Sequence, residues 1–583
     1  MKLILTALLA AASAFAQPAP RATFYVAPDG DDASTGTLQH PFRSLARARD
    51  AVRGIKQDVV VMLRGGIYRL SAPVVFSSRD SGDASRSITY TAYPGEQPVL
   101  SGGHPIHGWK KIRNRRWEAS TAGLPYFRQL FVDGVRRTRA RSPNSGYFRV
   151  AQVFGKDRTQ FQFKEGEVAN CKNLADVELV FLHDWEISRM PVAKVDEEKK
   201  RIVFAHPVGN LDFEFAAFNG FEPHQRYYLE NALEFLDNQG EWYLDRSTGL
   251  LTYQSMIAEA VDQAAVVAPV APALIVVRGT AQSPVRNLRF SGLRFEHTDF
   301  ALPPEGYAGI QAGHYAVTGD NYKLLPAAIE FEWAVGCRLE NCRLRHLGAS
   351  GVGLLQGCQR NVLSGNEISD VGGNGIQIGQ PVGAVTQAAA LPNPPNPAIL
   401  VKDNQVSNNY VHHAGQDYFG SVGIWVGFAQ GTLVAHNLIH DLPYTGISVG
   451  WDWGTRSTSC RDNRVEFNHI HHVMRLLSDG GGIYTLGWQP GTVLRGNHIH
   501  DVDRLNGRAD QNGIFFDEGS QGYLVQENLI YRTFGGLSVR FNQTSQASHN
   551  FRDNTFNIEP GHPSFPARIA AQAAWSPPTA CSC

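Results

Sequence analysis

Past its first sixteen residues the chain has no apolar run long enough to cross a bilayer, so no helical membrane span is expected there. Charge is scarce too. Asp, Glu, Lys and Arg make up 19% of the 583 residues, and 54 basic side chains balance 54 acidic ones. Without a net field, nothing draws the protein to nucleic acid or to an anionic membrane. Cysteine is sparse and odd in number, seven in all, which excludes a fully paired disulfide framework. Cys337 and Cys358 each follow a glycine and are expected to stack as buried thiols, with a disulfide as the alternative. A calcium loop is missing as well: Asp29-Gly30-Asp31-Asp32 lacks the distal glutamate and reads as a turn. Glycine, by contrast, is plentiful at 57 residues, as in a turn-rich all-β chain. Lys2, the apolar stretch after it and Ala14-Phe15-Ala16 have the layout of a secretory signal, so the expected location is secreted or periplasmic.

One phrase recurs: a glycine, an aliphatic residue, a few strand formers, a turn, then Asn-x-Ile/Leu. It reads Gly423-Ile424-Trp425-Val426, Gly446-Ile447-Ser448-Val449, Gly482-Ile483-Tyr484-Thr485, Gly513-Ile514-Phe515-Phe516 and Gly536-Leu537-Ser538-Val539. The shortest intervals, Gly423 to Gly446 and Gly513 to Gly536, are 23 residues. A second column holds Asn341, Asn366, Asn409, Asn437, Asn468, Asn497, Asn528 and Asn554. A repeat of this length marks a solenoid, and its alternation and β-branched residues make the units strands. The fold expected is all-β: a right-handed parallel β-helix with asparagines stacked in its turns.

The chain divides into a signal (1–16), a cap with the first coils (17–108), an inserted β-rich, sandwich-like domain (109–270), the main β-helix (271–560) and an irregular tail (561–583). An N-terminal helix capped by Ser44, with Leu45, Ala48, Val52 and Ile55 on one face, should lid the solenoid's open end.

Extra residues flank the glycine–isoleucine strands at 380–398, 451–459, 474–478 and 503–511. Insertions on one side of a solenoid build the walls of a binding groove. Alternation points Ile447, Ile483, Ile514 and Leu537 inward, and Trp425, Ser448, Tyr484, Phe515 and Ser538 outward. Two residues further on, Asp517 and Arg540 also face out in one column, with Glu518 at the turn. Trp425, Trp451, Trp453, Tyr484 and Trp488 stand where platforms for sugar rings belong. Glycoside hydrolysis needs two carboxyl groups. The first pair is Asp479 with Asp517, with Glu518 in reserve. In register Asp479 lies seven positions before Asp517, about 23 Å along a straight strand. The pair therefore requires Gly480-Gly481-Gly482 to fold the chain back; otherwise Asp452 partners Asp517. The Gly-x-Ser-x-Gly pattern at Gly446–Gly450 sits in a repeat strand and reads as such. His412, His413, His440, His471, His472 and His500 recur at a fixed offset and read as a structural stack, with His440 or His471 left as a substrate contact and no metal or other cofactor called for. Two other classes stay open: a polysaccharide lyase acting on uronate-containing glycans, and a non-catalytic carbohydrate-binding protein.

Several stretches resemble a known family. Phe24-Tyr25-Val26-Ala27-Pro28-Asp29-Gly30-Asp31 is similar to the start of many bacterial β-helix carbohydrate enzymes. Ser478-Asp479-Gly480-Gly481-Gly482-Ile483-Tyr484, Phe516-Asp517-Glu518-Gly519 and Glu241-Trp242-Tyr243-Leu244-Asp245 resemble glycoside hydrolase family 141. The resemblance implies a glycosidase acting on plant cell-wall glycan, xylan-like or fucosylated pectic, through Asp479 and Asp517; a monomer is expected.

Overall fold

The computed structural model describes residues 21–154, 157–168, 171–208, 224–318, 321–380, 390–451, 453–503 and 510–575. The signal stretch, Asp452, Cys581 and Cys583 lie outside them. Three parallel sheets enclose one apolar core, and each circuit of the chain adds one strand to each. Among the described residues the first sheet has twelve strands beginning with Arg21–Val26, the second eleven beginning with Gly66–Arg69, and the third ten beginning with Val74–Phe76. Among the described residues no helix is long and apolar enough to cross a membrane.

The repeats align because each level must present the same surface to the next. Ile424, Ile447, Ile483 and Ile514 stack in register and are fully buried. The last coil departs from the expected register. Val539, not Leu537, pairs with Ile514, and Leu537 is 55% exposed. A turn closed by Gly536 N–H on Thr533 O takes up two extra residues. Arg540 consequently sits opposite Phe515 rather than beside Asp517.

The asparagine column is a ladder of buried amides. Asn437 Nδ2 donates to Asn468 Oδ1 at 2.9 Å and to Val406 O at 3.0 Å, while its Oδ1 accepts from Asn409 N and Nδ2 at 2.9 Å. The same pattern runs from Asn366 to Asn554. Asn341 is not a rung: the next residue, Cys342, donates its backbone N–H to Asn366 Oδ1. Asn437→Ala should lower stability by at least the roughly 1–3 kcal/mol of one orphaned buried polar group, read as an earlier urea midpoint. Cys337 and Cys358 are buried thiols, as is Cys342, and Cys171 and Cys460 are buried too.

Ser44 Oγ accepts from Arg47 N–H to start the helix Leu45–Ala51, whose Leu45 and Ala48 face are buried with Val52 at the solenoid's end. The inserted domain leaves after Pro98–Ser101 and returns at Ile275–Arg278, in the middle of a circuit. It forms two sheets, antiparallel except where Val135–Arg139 runs parallel to Glu241–Asp245. Residues 299–326 make a second excursion, a meander of Tyr307–Gln311, His314–Thr318 and Asn321–Leu324, which extends the inserted domain's sheet through Ser188 opposite Ala308. Arginines clamp these layers to the solenoid. Arg136 reaches Asp370 at 2.6 Å and Asp417 at 2.9 Å. Buried Arg189 holds Glu230 at 2.6 Å and donates to Asp417 O at 2.8 and 3.0 Å.

The tail is more ordered than its composition suggests. Helix Ala567–Ala573 buries Ile569 and Ala573, and Trp575 Nε1 donates to Asn408 O at 3.1 Å. Its few apolar residues suffice because they pack on Leu529 and Tyr531, which stand on the outer face of the second sheet.

Candidate active site

The third sheet is the floor. Ser448, Tyr484, Phe515 and Arg540 follow one another across its outer face in register. Tyr484 packs edge-on against Phe515 with centroids 5.4 Å apart, and the Arg540 guanidinium lies 4.7 Å over the Phe515 ring. Asp517 follows the end of strand Gln511–Phe516, where its carboxyl is buried to 7% exposure. Tyr484 Oη donates to Asp517 Oδ2 at 2.5 Å and Asn542 Nδ2 donates to Oδ1 at 2.6 Å. Burial pushes the Asp517 carboxyl up from its ordinary range, and these two bonds pull against that shift. Glu518 accepts from Gln543 at 2.8 Å; burial and the Asp517 charge raise its pKa.

Asp479 enters from the opposite end of the floor. The three glycines do not fold the chain back: Gly480 and Gly481 pair with Gln511 and Asn512 inside the ladder. They are glycines because the coils touch there; a Cβ on Gly481 would stand 2.6 Å from Asn512 O, and one on Gly482 2.5 Å from an Ile499 methyl. The chain is redirected at Asp479 itself, whose φ of +59° is left-handed. Its Oδ1 lies 3.6 Å from Arg540 Nη1, with 24% of its side chain exposed. Protein crowds the carboxyl on its other sides. Burial, the charges of Asp517, Asp184 and Glu518, and the weaker counter-pull of Arg540 leave it pushed up to about 7. The two aspartates feel each other even though they sit at opposite ends of adjacent strands, because Arg540 and Tyr484 draw both inward over the floor.

Asp184 is a group the sequence reading missed. It sits at the tip of a hairpin of the inserted domain, between Glu178–Leu182 and Ile187–Asp196. Its carbonyl accepts from Ser478 N–H at 2.7 Å, which holds the tip against Asp479. Arg226 Nη1 bonds Leu476 O at 3.0 Å beside it. Asn542, Gln311 and Tyr444 were missed as well; Tyr444 Oη donates to Asp479 O at 3.0 Å, and Gln311 lies against the Tyr444 and Tyr484 phenols. An acid between two apolar strands was the only trace of Asp184 in the sequence.

The aromatic residues divide. Trp425 is not a platform: it is fully buried, as is Trp451, because His314 of the meander covers both, edge-on to Trp425 at 4.5 Å and stacked on Trp451 at 3.9 Å. Tyr484 is buried and holds Asp517 instead of facing a sugar. Trp453 is 38% exposed, and its loop reaches the turn that follows Asp517: a Cβ on Gly519 would lie 2.2 Å from Gly454 O. Trp488 is half-buried, bridged to Gln521. His440 belongs to another face. It lies on the second sheet, bonded to Asp441 at 2.7 Å and Tyr410 at 3.0 Å, away from the floor strands. The expected histidine stack exists, but along that strand face and not in turns.

Known proteins share this architecture. Residues 119–255 match the GH141 insertion domain and residues 327–530 match the right-handed beta helix region. A solved structure described as a glycoside hydrolase superposes with a TM-score of 0.84 at 25% identity, covering 95% of this chain and 99% of its own. XylC in complex with xylose shares the fold at a TM-score of 0.50 and 15% identity, over 89% of this chain and 70% of that one. The uncharacterized protein YwoF of Bacillus subtilis is 36% identical over 152 residues, 26% of this chain; the match spans 30% of YwoF's own length. The chain is thus an all-β, right-handed parallel β-helix of glycoside-hydrolase-like fold, resembling the β-helix carbohydrate-active enzymes and most like those with the GH141 insertion domain.

Proposed function

We propose that this protein is an exported glycoside hydrolase that cleaves plant cell-wall polysaccharide, xylan-like or fucosylated pectic glycan, with Asp479 as proton donor and Asp517 as nucleophile or base. One observation carries the reading: two carboxyls lie close enough for the charge of Asp517 to raise Asp479, yet only Asp517 is held by two strong hydrogen-bond donors. Asp479, pushed up to about 7, is still substantially protonated near neutral pH, where an ordinary carboxyl is not. Asp517 accepts two hydrogen bonds that favour its ionised form. The first would protonate the departing glycosidic oxygen, and the second would attack the sugar carbon or take a proton from water. Arg540, held over Phe515, keeps a positive charge beside Asp479. Trp453 offers an open ring at the groove's rim. The test is release of reducing ends from xylan and fucosylated pectic glycans, with Asp479→Asn as control; binding without product at long incubation would sink the reading.

A pH profile follows. Turnover needs Asp479 protonated, so kcat/KM should fall as pH rises through about 7. Asp184→Asn removes one of the negative charges that raise that pKa and should move the alkaline limb to lower pH. An unmoved limb would take Asp184 out of the site's electrostatics. Stability carries the matching sign. A carboxyl raised in the folded state favours folding fully below its unfolded pKa and loses that contribution as pH rises toward 7.

A further inference from the structure

The outer face of the second sheet carries a feature the carboxylate groove does not use. Successive strands present His412-His413, His440-Asp441, His471-His472, His500-Asp501 and Tyr531-Arg532, with His469 and His498 two residues earlier on their strands. The rings lie almost flat on one another: His440 on His471 at 4.7 Å, His471 on His500 at 5.1 Å, and His469 on His498 at 4.5 Å. At one level the stack closes into a cluster. His469 Nε2 lies 2.8 Å from His500 Nε2, and His469, His498 and His500 each offer a ligand nitrogen within 4.8 Å of the others.

We propose that His469, His498 and His500 form a binding site for a borderline divalent transition-metal ion such as Zn2+, on the face of the solenoid formed by the second sheet. Three imidazoles with an open fourth position are a donor set suited to such an ion. The outer shell supports it. Asp501 Oδ2 accepts from His500 Nδ1 at 2.6 Å, which fixes the tautomer that leaves the Nε2 lone pair facing His469. Arg532 Nη2 in turn orients Asp501 at 2.6 Å. His498 is 7% exposed and its Nε2 lies 3.0 Å from Tyr531 Oη. Binding displaces the proton that His469 Nε2 donates to His500, and His469 then ligates as its neutral Nδ1–H tautomer. The two nitrogens must part from 2.8 Å to about 3.3 Å, the separation that Zn–N bonds near 2.0–2.1 Å impose in a tetrahedral site, and the His498 ring, stacked flat on His469, must turn to aim a nitrogen at the ion. Because His469 lies on His469–Val473 and the other two on His498–Val502, the ion would staple adjacent coils.

The experiment titrates metal-free full-length protein with Zn2+ against a chelating dye, and separately with Co2+ to read the visible bands of a four-coordinate nitrogen site. The proposal expects one tight equivalent and a higher unfolding temperature with Zn2+. Asp501→Asn should weaken binding roughly 10–100-fold, the usual loss for an outer-shell partner. His469→Gln and His500→Gln, both at half-buried positions, should each weaken it more than that, with folding checked by circular dichroism. His436→Gln, outside the cluster, should bind as the parent does. Absence of a stoichiometric Zn2+ site in the parent, or unchanged affinity in both folded ligand variants, overturns the proposal.

Discussion

Asp517→Asn should cut hydrolysis by at least the roughly 10²–10⁴-fold that a positioned acid or base contributes, with little change in unfolding temperature. The amide has the carboxylate's shape. Its oxygen still accepts from Tyr484, and Asn542 can turn its own oxygen toward the new NH2, so no buried group is left orphaned. The substitution also relieves the burial that opposes the Asp517 charge. The check is kcat/KM beside a thermal melt. A variant that loses several degrees would recast Asp517 as a turn residue, bonding Ser520 N–H through its carbonyl, with no part in the chemistry.

Arg189→Met should produce the largest loss of stability. Arg189 is 3% exposed and bonds both Glu230 within the inserted domain and the Asp417 carbonyl of the solenoid. Removing one partner of a buried ion pair costs about 3–5 kcal/mol, because the remaining charge stays desolvated. Arg139 still reaches Glu230, which places the expectation at the lower end of that range. Activity should fall as well, since Arg189 lies on the strand that leads out of the Asp184 hairpin and anchors it over Ser478. Adding Glu230→Gln should recover part of the stability, measured as the urea midpoint. A single variant as stable as the parent would show that the clamp contributes nothing.

The solenoid was legible because a stacked coil forces the same choice at every level: Ile447, Ile483 and Ile514 fill one column, and Asn409, Asn437 and Asn468 another. What depends on distant chain was not. Trp425 and Trp451 keep the pattern of outward residues, yet a meander more than a hundred residues earlier covers them with His314. Asp184 comes from the inserted domain, whose own strands carry no sign of where they dock. His440 repeats as faithfully as the floor residues, but periodicity gives a column without saying which face it lies on. The last coil hid its two extra residues because Gly536-Leu537 imitates the repeat two residues too early.

The most direct test is product analysis by mass spectrometry after digestion of a glycan in heavy-oxygen water. Two carboxyls acting on one glycosidic bond predict a saturated sugar with a single heavy oxygen at its new reducing end, formed by the parent and lost in Asp479→Asn and Asp517→Asn. An unsaturated product without the isotope, or equal labelling by the variants, would contradict it.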